Sequence, residues 1–452
     1  MAKSRAKFIC ERCGAESAQW HGKCPSCGEW NTLASFTPPT ALLAAAPRAP
    51  SQPPVPLAEV DLAAVERRQT GVAELDRVLG GGLVPGALML VAGDPGIGKS
   101  TLLLQAASAF AQGGGSCLYV SGEESLGQVA MRSQRLAARP ENVLLLAETD
   151  LSVIEEQVQR TSPDLLIVDS IQAMYSPDTQ SLPGTVSQVR SCAARLLRIA
   201  KDLRLPTFLV GHVTKDGSVA GPRLLEHMVD TVLSLEGECH SGYRVLRSLK
   251  NRFGSTDELG LFQMTEAGLE GVPDPSAALL AERRNGTPGS SVVAAIEGTR
   301  PLLLEVQALV ARAAPYGSPR RSVTGVDLPR TCLILAVLEK QAGISLAGED
   351  VFVNIPGGIR TAEPAVDLGI ALAVASSAKD APIRPDTACV GEVGLTGEVR
   401  SVPMVDRRLA ELRRHGFRRC LVPPRAMSAR HGGIEAVPVE DLRRAFVEAL
   451  SG

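Results

Sequence analysis

Eight residues, GDPGIGKS at 93–100, follow the spacing G-x-x-x-x-G-K-S, a pattern suited to holding the phosphates of a nucleoside triphosphate such as ATP. Gly93, Gly96 and Gly98 let the backbone wrap with its amides facing phosphate oxygens, Asp94, Pro95 and Ile97 fill the wrap, and Thr101 leads into the next helix. Lys99 is expected to reach the β and γ phosphates and Ser100 to hold Mg²⁺. Asp169, in LLIVDS, ends an apolar run where it can order water around that Mg²⁺; a strand-end aspartate can also simply cap a loop. Glu123 and Glu124 follow another strand in CLYVSGEES. Glu123 is the expected base for the attacking water, although either glutamate could serve as a helix-start charge. His212, after PTFLVG, is either a phosphate sensor or an ordinary solvated histidine. A separate set, Cys10, Cys13, Cys24 and Cys27 in CERCGAESAQWHGKCPSC, forms two C-x2-C knuckles, whose four sulfurs suit tetrahedral Zn²⁺. Two disulfides would need an oxidising compartment, and His21 is left a surface role because four sulfurs already close the site.

These groups need strands and helices to hold them. ALMLVAG, CLYVSG, NVLLLAE, LLIVDS and PTFLVGH are short apolar runs without alternation, separated by helical stretches such as KSTLLLQAASAFAQ. Such runs read as strands covered on both faces, hence an α/β domain with a mainly parallel sheet. TVLSLEG and YRVLRSLK read as a hairpin at the sheet's edge. The expected boundaries are a four-cysteine zinc finger over 1–30, an Ala/Pro-rich linker over 31–66, the ATPase domain over 67–272, a linker over 273–290, and a further α/β domain over 291–452. A chain of 452 residues with 44% hydrophobic and 21% charged residues is ordinary for a multidomain soluble protein. With 47 basic against 49 acidic residues, any nucleic-acid contact must be local. No apolar run reaches the roughly 18 residues of a membrane span, and MAKSRAKFICERC lacks a secretion signal's apolar core, so a cytoplasmic protein without membrane contact is expected. The six scattered cysteines, Cys117, Cys192, Cys239, Cys332, Cys389 and Cys420, are expected to be buried thiols.

TGVAELDRVLGGGLVPG directly ahead of GDPGIGKSTLLLQ, then YVSGEES, LLIVDS, GHVTKDG and KNRFG, with the four-cysteine module in front, resemble the bacterial RadA/Sms family of DNA repair proteins over essentially the whole chain. The resemblance implies a RecA-like P-loop ATPase core between a small amino-terminal zinc module and a carboxyl-terminal Lon-protease-like α/β domain. It further implies a DNA-dependent ATPase that binds single-stranded and branched DNA. Such a protein would assemble as a homo-hexameric, DnaB-like helicase or translocase, and promote branch migration alongside RecA, with the zinc module helping to meet such partners. By the same resemblance, Lys250 and Arg252 reach across a subunit boundary to the neighbour's γ-phosphate, with Arg252 alternatively on DNA phosphates. In the Lon-like block the position of the nucleophilic Ser carries Ala365, and that of the catalytic Lys carries Asp406, which implies no peptidase. Seven arginines between 400 and 419 (Arg400, Arg407, Arg408, Arg413, Arg414, Arg418 and Arg419) either bind DNA phosphates or form a solvated, internally paired face. The clock protein KaiC and its relatives share the stretch before the phosphate loop, so a nucleotide-gated signalling ATPase without a DNA substrate is the alternative. The zinc module and Lon-like tail argue against it.

Overall fold

The structure is a computed structural model, and it describes residues 7–10, 16–17, 19–26, 28–36, 56, 66–136, 141–179, 181–211, 222–237, 242–314, 318–426 and 433–450. Two compact units divide the chain: residues 1–236 with 245–256 and 262–271, and residues 237–244, 257–261 and 272–452.

The first unit opens with a three-stranded antiparallel sheet, β1 (Lys7–Cys10), β2 (Glu16–Ser17) and β3 (Leu33–Phe36), in the order β2-β1-β3. Its small core is Cys10, Cys24 and Leu33, with Phe8 packed against them. After α1 (Ala73–Leu79) come β4 (Leu88–Gly93), α2 (Lys99–Gln112), β5 (Cys117–Ser121), α3 (Leu126–Arg135), β6 (Val143–Ala147), α4 (Leu151–Thr161), β7 (Leu165–Asp169), α5 (Val186–Asp202), β8 (Thr207–Val210) and α6 (Pro222–Met228). Then follow β9 (Thr231–Glu236), β10 (Tyr243–Asn251), β11 (Leu259–Thr265) and β12 (Gly268–Gly271). The sheet order is β12-β11-β10-β9-β4-β8-β7-β5-β6, with β4 through β9 parallel.

The unbroken apolar runs acquire their meaning from two faces. Met89 and Val91 of β4, and Leu165 and Ile167 of β7, belong to the core on the α1 and α2 side. Leu88, Leu90, Leu166 and Val168 belong to the core beneath α4 and α5. Successive side chains on a strand point to opposite faces, so a strand covered on both needs every position apolar. Two expectations change here. β6, read as doubly covered, is the edge strand, and its residues are only half-buried or exposed. The β9–β10 hairpin exists and is antiparallel, but it is not an edge: β9 pairs in parallel with β4, and β11 and β12 extend the sheet beyond β10. Local pattern identifies a hairpin; which strand it docks against is a nonlocal choice.

The second unit contains α7 (Pro275–Leu280), β13 (Ser290–Glu297), β14 (Arg300–Arg312), β15 (Arg321–Thr324), α8 (Leu328–Ala342), β16 (Glu349–Asn354), α9 (Asp367–Ala378), β17 (Thr387–Cys389), β18 (Glu392–Val393), β19 (Val399–Arg400), α10 (Val405–Arg414), β20 (Arg419–Val422), β21 (Glu435–Pro438) and α11 (Leu442–Ala449). Seven strands form one sheet in the order β15-β16-β14-β13-β17-β20-β21, and β18 pairs with β19. The basic stretch at 400–419 lies on and around α10; most of its arginines have partners within the fold, but only Arg408 is buried. Arg408 is fully buried, paired with Glu363 and donating to the Ala294 carbonyl at 2.6 Å and the Pro403 carbonyl at 3.0 Å. Arg419 pairs with Glu435 and Glu448, Arg414 with Asp274, Arg400 with Glu398, and Arg407 donates to the Thr299 carbonyl. Of the two expectations for this stretch, the internally paired face is the one this geometry favours.

Candidate active site

The glycines of the phosphate loop answer to geometry. Gly93 has φ of +152°, and a β-carbon there would come within 2.4 Å of the Leu235 carbonyl oxygen, so β9 passes too close for any side chain. Gly98 has φ of +118° and precedes α2, whose first turn carries no acid, leaving its positive end available to an anion. Lys99 is buried and donates from Nζ to the carbonyl oxygens of Gly93 (2.8 Å) and Asp94 (2.9 Å). Burial pulls its ammonium below the ordinary lysine range, while Asp169, Asp94 and Glu123 hold it up. Asp94, Pro95 and Gly96 are exposed at the loop's crest; Ile97 is buried, and Ser100 and Thr101 stand half-buried in the first turn of α2.

Asp169 ends β7 directly opposite Ser121, the last residue of β5. The buried Tyr119 donates its hydroxyl to Asp169 Oδ2 at 2.5 Å. Burial first, and then the Asp169 carboxylate, raise the Tyr119 phenol well above its usual value, which keeps that donor protonated. The glutamates separate by their partners. Glu124 is held by Arg132 of α3, whereas Glu123 accepts from the Ser170 hydroxyl beside Asp169. Ser125 and Gln128 close a capping box that starts α3 just beyond them. Gly93–Thr101, Asp169 and Glu123 are thus gathered at one edge of the sheet. His212 lies outside the described residues; β8 ends at Val210 beside Val91 of β4, on this same edge.

Lys250 and Arg252 are not at this edge. Asn251 pairs with Thr231, which pairs in turn with Met89 near the start of β4, whereas Gly93 at its end pairs with Leu235. Five residues of strand, roughly 16 Å at about 3.3 Å each, separate Leu88 from Gly93. Lys250 Nζ donates to the carbonyl oxygens of Glu226 (2.5 Å) and Val229 (2.8 Å), closing the carboxyl end of α6. Burial, then the neighbouring Arg252, lower its pKa. Arg252 Nη1 is 3.3 Å from Oδ1 of the buried Asp230, and the rest of its side chain is exposed.

Sequence reading missed a cavity of about 490 Å³ lined by Thr101, Arg135, Leu136, Met264, Thr265, Glu266 and Gly268. The β11–β12 turn forms one wall, and Gln105 of α2 fastens it by accepting from the Leu269 amide at 2.9 Å. The turn sequence TEAG is visible as a hairpin; its docking against α2 is not.

In the amino-terminal module the described Cys10 and Cys24 are both buried and packed together, and Cys10 Sγ lies 3.2 Å from Thr32 Oγ1. A pair of buried sulfurs in a core this small fits a thiolate metal centre. Cys13 and Cys27 lie outside the described residues; His21 is exposed. Of the scattered cysteines, Cys117, Cys192, Cys389 and Cys420 are buried, with burial pushing Cys192 and Cys389 up to about 12. Cys332 departs from expectation: it is exposed, on the outer side of α8. Cys239 lies outside the described residues.

A protein described as DNA repair protein RadA from Bacillus subtilis is 47% identical over the full length of both chains. The chain belongs to the RadA family of DNA repair proteins. RadA proteins of Halalkalibacterium halodurans (50% identical, over 94% of this chain and 93% of theirs) and Listeria monocytogenes (48%, over 93% of each) match likewise. Family models match in three places: an AAA domain over 53–218, a rubredoxin metal binding domain over 8–35, and subunit ChlI of Mg-chelatase over 327–426. The RadA kinship and the AAA match make the middle of the chain an ATP-binding, hydrolytic domain, and the metal-binding match supports zinc at the amino terminus. Among the described residues no helix is long and apolar enough to cross a membrane.

Proposed function

We propose that this RadA protein is a DNA-dependent ATPase whose hydrolytic site is completed by a neighbouring subunit of a homo-hexameric ring. In this proposal the ring moves on single-stranded and branched DNA, in the manner of a DnaB-type helicase, and promotes branch migration with RecA. The observation that carries it is the separation of the two cationic sets: Lys99 sits at the phosphate edge, while Lys250 and Arg252 sit at the opposite end of the same sheet. Cations placed there cannot reach the triphosphate of their own chain, so the phosphates they meet belong to another molecule, a neighbour's ATP or DNA. The KaiC-like alternative, signalling without a DNA substrate, leaves the metal module and the third domain without a role.

In the assigned roles, the amides of Gly93–Ser100 cradle the phosphates and Lys99 bridges their oxygens. Ser100 and Asp169 hold Mg²⁺, which when bound neutralises phosphate charge. Glu123 takes the proton of the attacking water, a role supported by its place beside Ser170 and Asp169 while Glu124 is occupied by Arg132. The cavity beside Thr101 is of a size and position for the nucleobase, with Met264 and Leu136 supplying apolar walls. In the same proposal His212 senses phosphate, and the ATPase domain spans 67–272, after the zinc finger at 1–30 and the linker at 31–66 and before the linker at 273–290 and the α/β domain at 291–452. Peptide hydrolysis is not part of the proposal: Ala365 is a buried methyl packed in the second unit's core, without a nucleophilic atom.

Hydrolysis measured with and without single-stranded DNA is the test. We expect DNA to raise the rate, and Lys99→Ala to abolish it in both conditions, a loss of at least 100-fold, while circular dichroism stays native. A rate indifferent to DNA would favour the signalling alternative. Retained turnover in Lys99→Ala would remove the phosphate-loop assignment.

A further inference from the structure

The chain has two tryptophans in 452 residues, and both lie in the amino-terminal module, Trp20 55% and Trp30 68% exposed. Neither belongs to the module's core of Cys10, Cys24 and Leu33. They converge on one glycine: a β-carbon on Gly22 would lie 3.6 Å from Trp30 Cζ3 and 3.8 Å from Trp20 Cη2. The backbone holds this arrangement. Lys23 and Trp30 face each other in an antiparallel bridge, the Asn31 amide donates to the Gly22 carbonyl at 2.8 Å, and the Cys24 amide donates to Glu29 at 2.7 Å. Lys23 Nζ stands 5.9 Å from the centroid of the Trp30 ring.

We infer that Trp20 and Trp30, with Lys23, form a stacking platform for single-stranded DNA outside the ATP site. Large exposed indoles are costly to leave in water, and two of them side by side mark a surface that meets something flat or apolar. The charge decides between those. Lys23 sets an ammonium against the Trp30 ring, in a module where residues 1–36 carry five Lys or Arg against three Asp or Glu. Indole faces beside an ammonium are the combination that takes up unstacked bases and their phosphates without regard to sequence. An apolar protein partner would gain nothing from the ammonium.

This inference rests on the proposal that the protein engages DNA, and it adds a contact that the ATPase machinery does not require. Because the chain has no other tryptophan, indole emission from the full-length protein reports on this module alone. Titration with oligo(dT) at low salt is expected to quench that emission, with the same midpoint as the anisotropy of a labelled oligonucleotide. The pair Trp20→Ala with Trp30→Ala is expected to weaken oligonucleotide binding at least about tenfold, the pair Trp20→Phe with Trp30→Phe to keep most of it, and DNA-free hydrolysis to stay unchanged in both. Each single alanine variant retains one indole, whose emission maximum checks the module's fold. Undiminished binding by the double alanine variant, or unaltered indole emission at saturating oligonucleotide, overturns the platform alone and leaves the tryptophans to a protein partner. Failure of the wild type to bind any single strand overturns both the platform and the proposed DNA-dependent function.

Discussion

The Tyr119 hydroxyl donates to Asp169 from a neighbouring strand, two positions before Ser121, the residue paired with that aspartate. Its ring belongs to the core and its oxygen to the site, so Tyr119→Phe removes the donor while keeping the packing. A hydrogen bond to a carboxylate is worth about 1.5–3 kcal/mol, and losing it frees Asp169 to rotate. The Mg²⁺ concentration for half-maximal hydrolysis is therefore expected to rise about tenfold in Tyr119→Phe, with little change in Tm. A purely structural tyrosine would do the reverse, lowering Tm and leaving the Mg²⁺ dependence alone. The pairing of Glu124 with Arg132 carries a parallel expectation: Glu123→Gln should cost far more turnover than Glu124→Gln, measured at saturating ATP.

Among the elements, α10 shows how a basic run can be structural. Its outward face is charged, but Arg408 points inward, where Glu363 and two backbone carbonyls satisfy it in a site without water contact. Breaking a buried pair strands the remaining charge, at a cost of about 3–5 kcal/mol. Arg408→Ala should therefore destabilise the second unit by about that amount in a urea titration, while Arg418→Ala, exposed four residues past the end of this helix, should stay within about 0.5 kcal/mol of wild type. Equal effects would mean that the buried contacts of Arg408 add no stability. At α6, Lys250 already satisfies two terminal carbonyls, so using it on a phosphate means exchanging those bonds for new ones.

For the whole molecule, the decisive fact is that one sheet presents a phosphate loop at one end and a Lys-x-Arg pair at the other. If each subunit lends its pair to the next, two crippled proteins can repair each other. Lys99→Ala and Arg252→Ala should each be inactive alone without DNA, and their mixture should recover a measurable part of the wild-type rate, since an intact loop can then receive an intact arginine. If Arg252 instead serves DNA, Arg252→Ala alone keeps its DNA-free rate and loses only stimulation.

The phosphate-loop pattern, the strand-end Asp169 and the spacing of the cysteines are readable in the chain because each depends on nearby residues whose spacing is set through the backbone alone. The alternation of apolar runs and helices likewise marked a covered parallel sheet, since burial on both faces leaves its trace at every position of β4 and at all of β7 before Asp169. What the chain could not disclose were relations between segments far apart in sequence. Only the folded form placed β9 against β4 rather than at an edge, chose Ser170 for Glu123 and Arg132 for Glu124, and turned Arg408 into the core. It also brought Trp20 and Trp30 together over Gly22. Local propensity and spacing act within a few residues, whereas strand order, ion pairing and burial are settled by which distant surfaces exclude water together, and that is a property of the packed whole.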